Sequence, residues 1–229
     1  TLRRLVSSCM PAPAQQPQPA PLAHSAISVP ILYAAFLVSG FAALVYQVVW
    51  QRSLFSIYGV NIESVTIVVS AFMLGLGLGS FAGGKLSARP GVQLLRWFGL
   101  IEVTIGLLGA VSLVVFRAVG AFTAGVSGPT VFALTFALLV LPTSLMGSTL
   151  PLLVAHAVKV SGNVGKSVGA LYFVNTMGSA LASFATAAVL LGALGQQRTV
   201  WLAATLNIAI GGFVLWRSKG SERSERPAL

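Results

Sequence analysis

The sequence predicts an all-α, multi-pass integral membrane protein: a bundle of six transmembrane helices with both termini in the cytoplasm. Three observations predict it. Of 229 residues, 56% are hydrophobic before the 24 glycines are counted, and mean hydropathy is +0.89. Only 8% are charged, against about 25% in a soluble globular domain. Fourteen Lys and Arg with four Asp and Glu are too few to cover a water-facing surface. Finally, apolar runs of about 20 residues recur, the length that crosses a hydrocarbon core of about 30 Å. A freestanding soluble enzyme or a solvated binding module does not fit this composition.

Taken in order, residues 1–28 read as a flexible Pro/Ala/Gln-rich tail, because such a chain has little to bury and favours an extended, hydrated form. Arg3-Arg4 and the segment ending at Cys9 are not followed by the apolar stretch a targeting signal requires, so neither is read as one. Residues 29–216 form the six-helix domain, with spans at 31–50, 64–84, 97–116, 130–158, 168–194 and 200–216. A Gly/Ala/Ser-rich loop follows the third span. Pro142 and Pro151 interrupt the fourth, which is expected to kink or end early. Residues 217–229 read as a basic cytoplasmic tail. Strands are a poor alternative, since a membrane barrel alternates apolar and polar residues and these runs do not.

Charge sets the orientation. Six spans place Arg3, Arg4, Lys85, Arg89, Arg96, Lys159, Lys166, Arg217, Lys219, Arg223 and Arg226 on the side of the termini, and Arg52, Arg117 and Arg198 on the other. Positive residues are retained inside, so the expected location is the inner (cytoplasmic) membrane with both ends in the cytoplasm. This flanking role also accounts for the net charge of +10 without nucleic acid as a partner.

Within the spans, Ala71, Gly75, Gly79 and Gly83 recur every four residues and share one helix face, a packing face on which a neighbouring helix can approach closely. Such a face serves a permanent crossing or, in a transporter, a sliding one. Gly178, Ala182 and Thr186 form a weaker version in the fifth span. Glu102 is the acidic residue inside a span, five residues past Trp97 and so roughly 7–8 Å into its helix. A central acid costs about 2.5–3.5 kcal/mol on insertion scales, so it should face the bundle. Asn175 lies at comparable depth in the fifth span. The pair is a candidate intramembrane polar site: either a cation or proton site on Glu102, or a hydrogen bond from Glu102 to Asn175 or a backbone carbonyl joining two helices. Gln47, Ser148, Thr149 and Asn207 are expected to satisfy themselves within their helix or across one neighbour, and Trp50, Trp97, Trp201 and Trp216 to anchor span ends at headgroup depth.

Reaction chemistry is not evident. No paired carboxylates, Ser/His/Asp set or metal-spaced cluster appears, and Cys9, His24 and His156 make no ligand set. The glycines at 75, 77 and 79 lie inside an apolar helix and lack the strand and acidic residue of a nucleotide loop. The expectation is therefore no catalytic residue, no cofactor, no metal, and a chain that is not an enzyme unless a separate synthase domain is present.

Several stretches carry a family resemblance. Gly40-Phe-Ala-Ala-Leu-Val-Tyr-Gln-Val-Val-Trp-Gln-Arg-Ser-Leu54, Phe72-Met-Leu-Gly-Leu-Gly-Leu-Gly-Ser80, Glu102, Leu141-Pro-Thr-Ser-Leu-Met-Gly-Ser-Thr-Leu-Pro-Leu152 and Leu171-Tyr-Phe-Val-Asn-Thr-Met-Gly178 together resemble the transporter-like membrane domain of bacterial fused spermidine synthase-like proteins. The likeness covers about residues 31–212. In that family the membrane part usually precedes a soluble, methyltransferase-like aminopropyltransferase domain, and the resemblance implies the membrane module alone. Residues 79–91 are also similar to the major facilitator superfamily's loop signature, without its Asp.

The expected function is a non-catalytic membrane subunit that anchors or scaffolds partners. The alternatives are a transporter or channel for a polyamine or other small organic cation, and the membrane half of a split or truncated aminopropyltransferase. The partners implied are the lipid bilayer, other membrane proteins or further copies of the chain, and, on the resemblance, a soluble synthase.

Overall fold

The computed structural model describes residues 27–58, 61–123 and 128–224. Most of the expected N-terminal tail, with Arg3, Arg4, Cys9 and His24, lies outside the described residues. Among those described, the chain is helical throughout, with no strand. The elements are α1 (Val29–Tyr58), α2 (Asn61–Ser87), α3 (Leu94–Phe122), α4 (Gly128–Ser161), α5 (Val164–Ala185), a π turn (Thr186–Leu190) and α6 (Leu191–Ser224).

Among the described residues, five helical stretches are long and apolar enough to cross a membrane: Val29–Ser56, Val65–Ser87, Leu94–Phe122, Thr130–Ser161 and Val164–Ser218. The count of six expected from the sequence is not matched by this count of five. The reason is local. The fifth and sixth expected spans run on as one helical stretch of 55 residues, because the break between them is confined to Gly195, at φ 70° and ψ 176°. Thr199 closes that break by donating to the carbonyls of Gly195 (2.6 Å) and Leu190 (3.1 Å). At about 1.5 Å per residue, 55 residues in a straight line would reach well past the roughly 30 Å of a hydrocarbon core.

Contacts show that the chain reverses there. Residues 39, 46 and 50 of α1 meet 102, 109 and 112 of α3, so these helices run parallel. Leu32 and Phe36 of α1 cluster with Leu171 of α5, Ala42 and Val45 with Ala182, and Val48 and Phe55 share a cavity with Ala187 just past α5, so α5 is parallel to α1. Against α3, however, the order inverts: Gly99 faces Gly211 and Leu215, Gly106 faces Ala204, and Arg117 donates to Gln197 at 3.2 Å. The leg after Gly195 is therefore antiparallel to α3 and hence to α5.

Helices close in sequence are not the closest in space. The most extensive pairings are α2 with α4, α3 with α6 and α1 with α5. In the first of these the small-residue face of α2 lies on α4. A Cβ on Gly75 would overlap the Thr143 side chain, one on Gly79 the Ser144 carbonyl, and one on Gly83 the Ser148 backbone. The Ala71 carbonyl accepts from Thr143 Oγ1 at 3.2 Å. Gly178 of α5 meets the Leu37 carbonyl of α1 in the same way.

Three local expectations need correction. α4 does not end early: it runs unbroken through both prolines. Pro151 lacks the N–H that would bond the Gly147 carbonyl, and Ser80 of α2 donates to that carbonyl instead, at 3.1 Å. Secondly, α3 continues to Phe122, so the loop expected after residue 116 is largely helix, and α6 likewise runs to Ser224, past the expected start of the basic tail. Thirdly, Trp50 is no interfacial anchor. It is 1% exposed, stacks on Tyr46 with centroids 5.3 Å apart, meets Phe72 and Phe116, and donates from Nε1 to Ser112 Oγ at 2.9 Å. Trp97, Trp201 and Trp216 are exposed.

The α2–α4 contact predicts a contrast between neighbouring glycines. Gly79→Ala should lower stability in detergent by about 1–3 kcal/mol, the range for overpacking, since its Cβ meets backbone. Gly77→Ala should be neutral, because nothing lies within 4 Å of that position. Thermal unfolding of the two variants checks this; equal midpoints would disprove the close contact.

Candidate functional site

α1, α3 and α6 converge on Glu102, whose side chain is 0% exposed. Three glycines allow the approach: Gly99 and Gly106, one turn either side of Glu102 in α3, and Gly211, one turn beyond Asn207 in α6. With no side chains there, α6 comes close enough for a short amide to reach the carboxyl. Asn207 Nδ2 donates to Glu102 Oε2 at 2.7 Å, and Ser39 Oγ of α1 donates to Oε1 at 2.6 Å. Both distances are those of strong hydrogen bonds. One carboxyl thus ties three helices.

The site differs from the expected pair. Asn175 does not hydrogen-bond to Glu102. It lies against Gly40 on the α1–α5 contact, where a Cβ on Gly40 would overlap its carbonyl and side-chain oxygens. The partner is Asn207, because α6 rather than α5 covers this face of α3. Ser39 was not singled out by the sequence; a lone serine in an apolar helix carries little signal. Ser148 and Thr149 bond within their own helix, to the carbonyls of Leu145 and Met146 at 2.7 Å each.

Two polar atoms near this level of α1 and α6 are buried without a hydrogen-bond partner: Asn207 Oδ1 and the Tyr46 hydroxyl. Tyr46 packs its ring against Gly109. Below it, Trp50 donates to Ser112, which itself donates to the Gly109 carbonyl at 2.7 Å. A chain of polar side chains thus runs down the α1–α3 seam inside an apolar core. Chemically, the cluster can hold the three helices in register. Among the described residues, no group of three His, Cys, Asp or Glu comes together that could hold a metal ion.

Comparison with known proteins gives relatives of one kind. The chain is 27% identical over 187 residues to polyamine aminopropyltransferase 2 of Streptomyces coelicolor, a match covering 79% of this chain and 33% of that protein. It is 23% identical to the polyamine aminopropyltransferase of Oceanobacillus iheyensis, covering 81% and 35%. With that of Mycobacterium tuberculosis it shares 25% identity, covering 80% and 35%. The chain thus spans about a third of the length of the curated relatives it matches. No protein-family profile matches it, and no solved structure does. These relatives are polyamine aminopropyltransferases, that is, enzymes, and they overturn the expectation that the chain is not one. That expectation rested on missing catalytic constellations in a stretch corresponding to about a third of each relative, too little to carry it.

The Glu102 knot predicts a graded response. Glu102→Ala leaves the Ser39 hydroxyl and the Asn207 amide without their acceptor and should cost about 1–3 kcal/mol of stability, as an unsatisfied buried group does. Glu102→Gln keeps an acceptor, and its amide can donate to Asn207 Oδ1, so it should lose less. Chemical denaturation in micelles checks the order; an Ala variant as stable as the Gln variant contradicts it.

Proposed function

We propose that this chain is the membrane-spanning portion of a polyamine aminopropyltransferase-type enzyme and holds that enzyme's transfer chemistry at the membrane. The observation that carries the reading is the alignment: about four fifths of this chain matches polyamine aminopropyltransferases from three organisms. The name of those relatives gives the reaction class, transfer of an aminopropyl group to a polyamine. Further support comes from the outward surface. Met73, Phe81, Tyr172, Phe173 and Phe184 are exposed, the last at 77%, on helices that are apolar on every side. Large contiguous apolar surface is rare on a soluble monomer, and lipid is the solvent that suits it.

In this reading the bundle crosses the membrane six times. The stretch Val164–Ser218 supplies two antiparallel crossings that reverse at Gly195, and both termini lie in the cytoplasm of an inner-membrane protein. The partners are then the bilayer, the rest of the synthase, and other membrane proteins or further copies of this chain. Transport of a cation draws no specific support from the geometry, because Glu102 is enclosed and each of its oxygens already accepts a hydrogen bond.

Two measurements test the proposal. The tagged protein, isolated from its native membranes in mild detergent, should transfer a labelled aminopropyl group to a polyamine acceptor; membrane-integrated material without that activity defeats the enzymatic reading. For the topology, with Cys9 replaced, Gln196→Cys should react with a membrane-impermeant thiol reagent on intact cells while Lys159→Cys should not. Equal labelling from one side would show that the last stretch does not cross twice.

A further inference from the structure

The end of α1 opposite its N-terminus borders a cavity of about 470 Å³, within the usual size range of small-ligand sites. It lies between the last turns of α1 and the start of the reversal after α5. Arg52 and Gln51 supply the polar wall, and Val48, Phe55, Ala187 and Leu191 the apolar one. Ala187 belongs to the π turn Thr186–Leu190, an element that recurs at functional sites. Its methyl group leaves room where a larger side chain would close the space. Ser56 also lines the cavity, but its hydroxyl is committed to the Arg52 carbonyl at 3.0 Å. The donors left are the Arg52 guanidinium and the Gln51 amide. Among the acids, the side chain that is described is that of Glu102, and it is bonded to Ser39 and Asn207 rather than to Arg52.

Depth narrows the ligand. Arg52 lies 23 residues after the first residue of α1, about 35 Å along the axis at 1.5 Å per residue. That is just beyond a hydrocarbon core of about 30 Å, where phosphate groups sit. An arginine matches a phosphate with paired N–H donors, and four apolar residues beside it suit a glycerol-linked acyl chain rather than water. We propose that this cavity is a phospholipid site, with the lipid's phosphodiester held by Arg52 and Gln51 and an acyl chain laid along Val48, Phe55 and Leu191. The inference rests on the membrane-spanning reading above. It places the site in the leaflet away from the cytoplasm and makes the lipid a wedge between α1 and the reversal.

The test is retained phospholipid on the whole protein, extracted in polymer-bounded native membrane and then moved to detergent, measured by native mass spectrometry. Wild type should keep phospholipid, and Arg52→Gln should lower the retained amount at least fivefold. Ala187→Trp, which fills the cavity without changing charge, should do the same. Arg117→Gln should not, since that guanidinium already donates to Gln197. Equal retention in wild type and Arg52→Gln overturns the proposal. So does binding of labelled inorganic phosphate that needs Arg52 but is untouched by Ala187→Trp, which would assign the site to a free anion. A wild-type protein that never partitions into membranes defeats the membrane reading instead, and membrane-integrated protein without Arg52-dependent lipid defeats this inference alone.

Discussion

Helices that are apolar on every side cannot be sorted by burying one more leucine, because each face offers the same gain. What distinguishes a face is how closely it lets another backbone approach, and that depends on the absence of side chains. The bundle rests on this constraint. Gly75, Gly79 and Gly83 admit Thr143, Ser144 and Ser148 of α4; Gly178 admits Leu37 of α1; Gly99 and Gly211 admit each other's helices. Gly77 and Gly84, with nothing within 4 Å, mark the faces that carry no neighbour. The three main helix pairs, α2–α4, α1–α5 and α3–α6, follow from where the glycines lie and not from order along the chain.

Close approach allows sliding unless something fixes the register, and polar stitches do so. Each crosses one of the glycine contacts. Ser80 bonds the carbonyl that Pro151 leaves free, Ser179 donates to the Gly40 carbonyl at 3.1 Å, and Glu102 takes donors from both α1 and α6. The Glu102 knot is the most demanding, since it aligns three helices at once and a half-made version would leave a buried acid unsatisfied. Trp50 serves the same seam, and its bond to Ser112 explains why an aromatic residue near a helix end is turned inward.

The helical fold and the packing face of α2 were legible because they depend on local quantities: run length, hydropathy and a spacing of four. Glu102 was legible as an oddity of composition. Its partners were not. Depth pointed to Asn175, whereas the partner is Asn207, and the choice turns on which helix covers α3, a long-range fact set by Gly99, Gly106 and Gly211. Pro151 misled as a stop because the carbonyl its missing N–H leaves free, that of Gly147, takes a donor from α2 instead. The sequence left residues 195–199 between the last two spans, and the break is confined to Gly195, since a residue at positive φ can turn the chain there. Absence of catalytic spacing misled for a different reason: it is a statement about the residues at hand, and chemistry elsewhere in an enzyme leaves no trace in them.

The turn at Gly195 has an effect twelve residues away. With one non-helical residue joining the legs, there is no slack to absorb a change in chain length. An extra residue anywhere between Gly195 and Asn207 would rotate the downstream helix by about 100°, one residue's share of a 3.6-residue turn, and swing the asparagine off the acid. The hinge therefore acts as a phase marker for the final leg, and insertions in this protein are better tolerated at the α2–α3 bend, where several irregular residues stand between the helices.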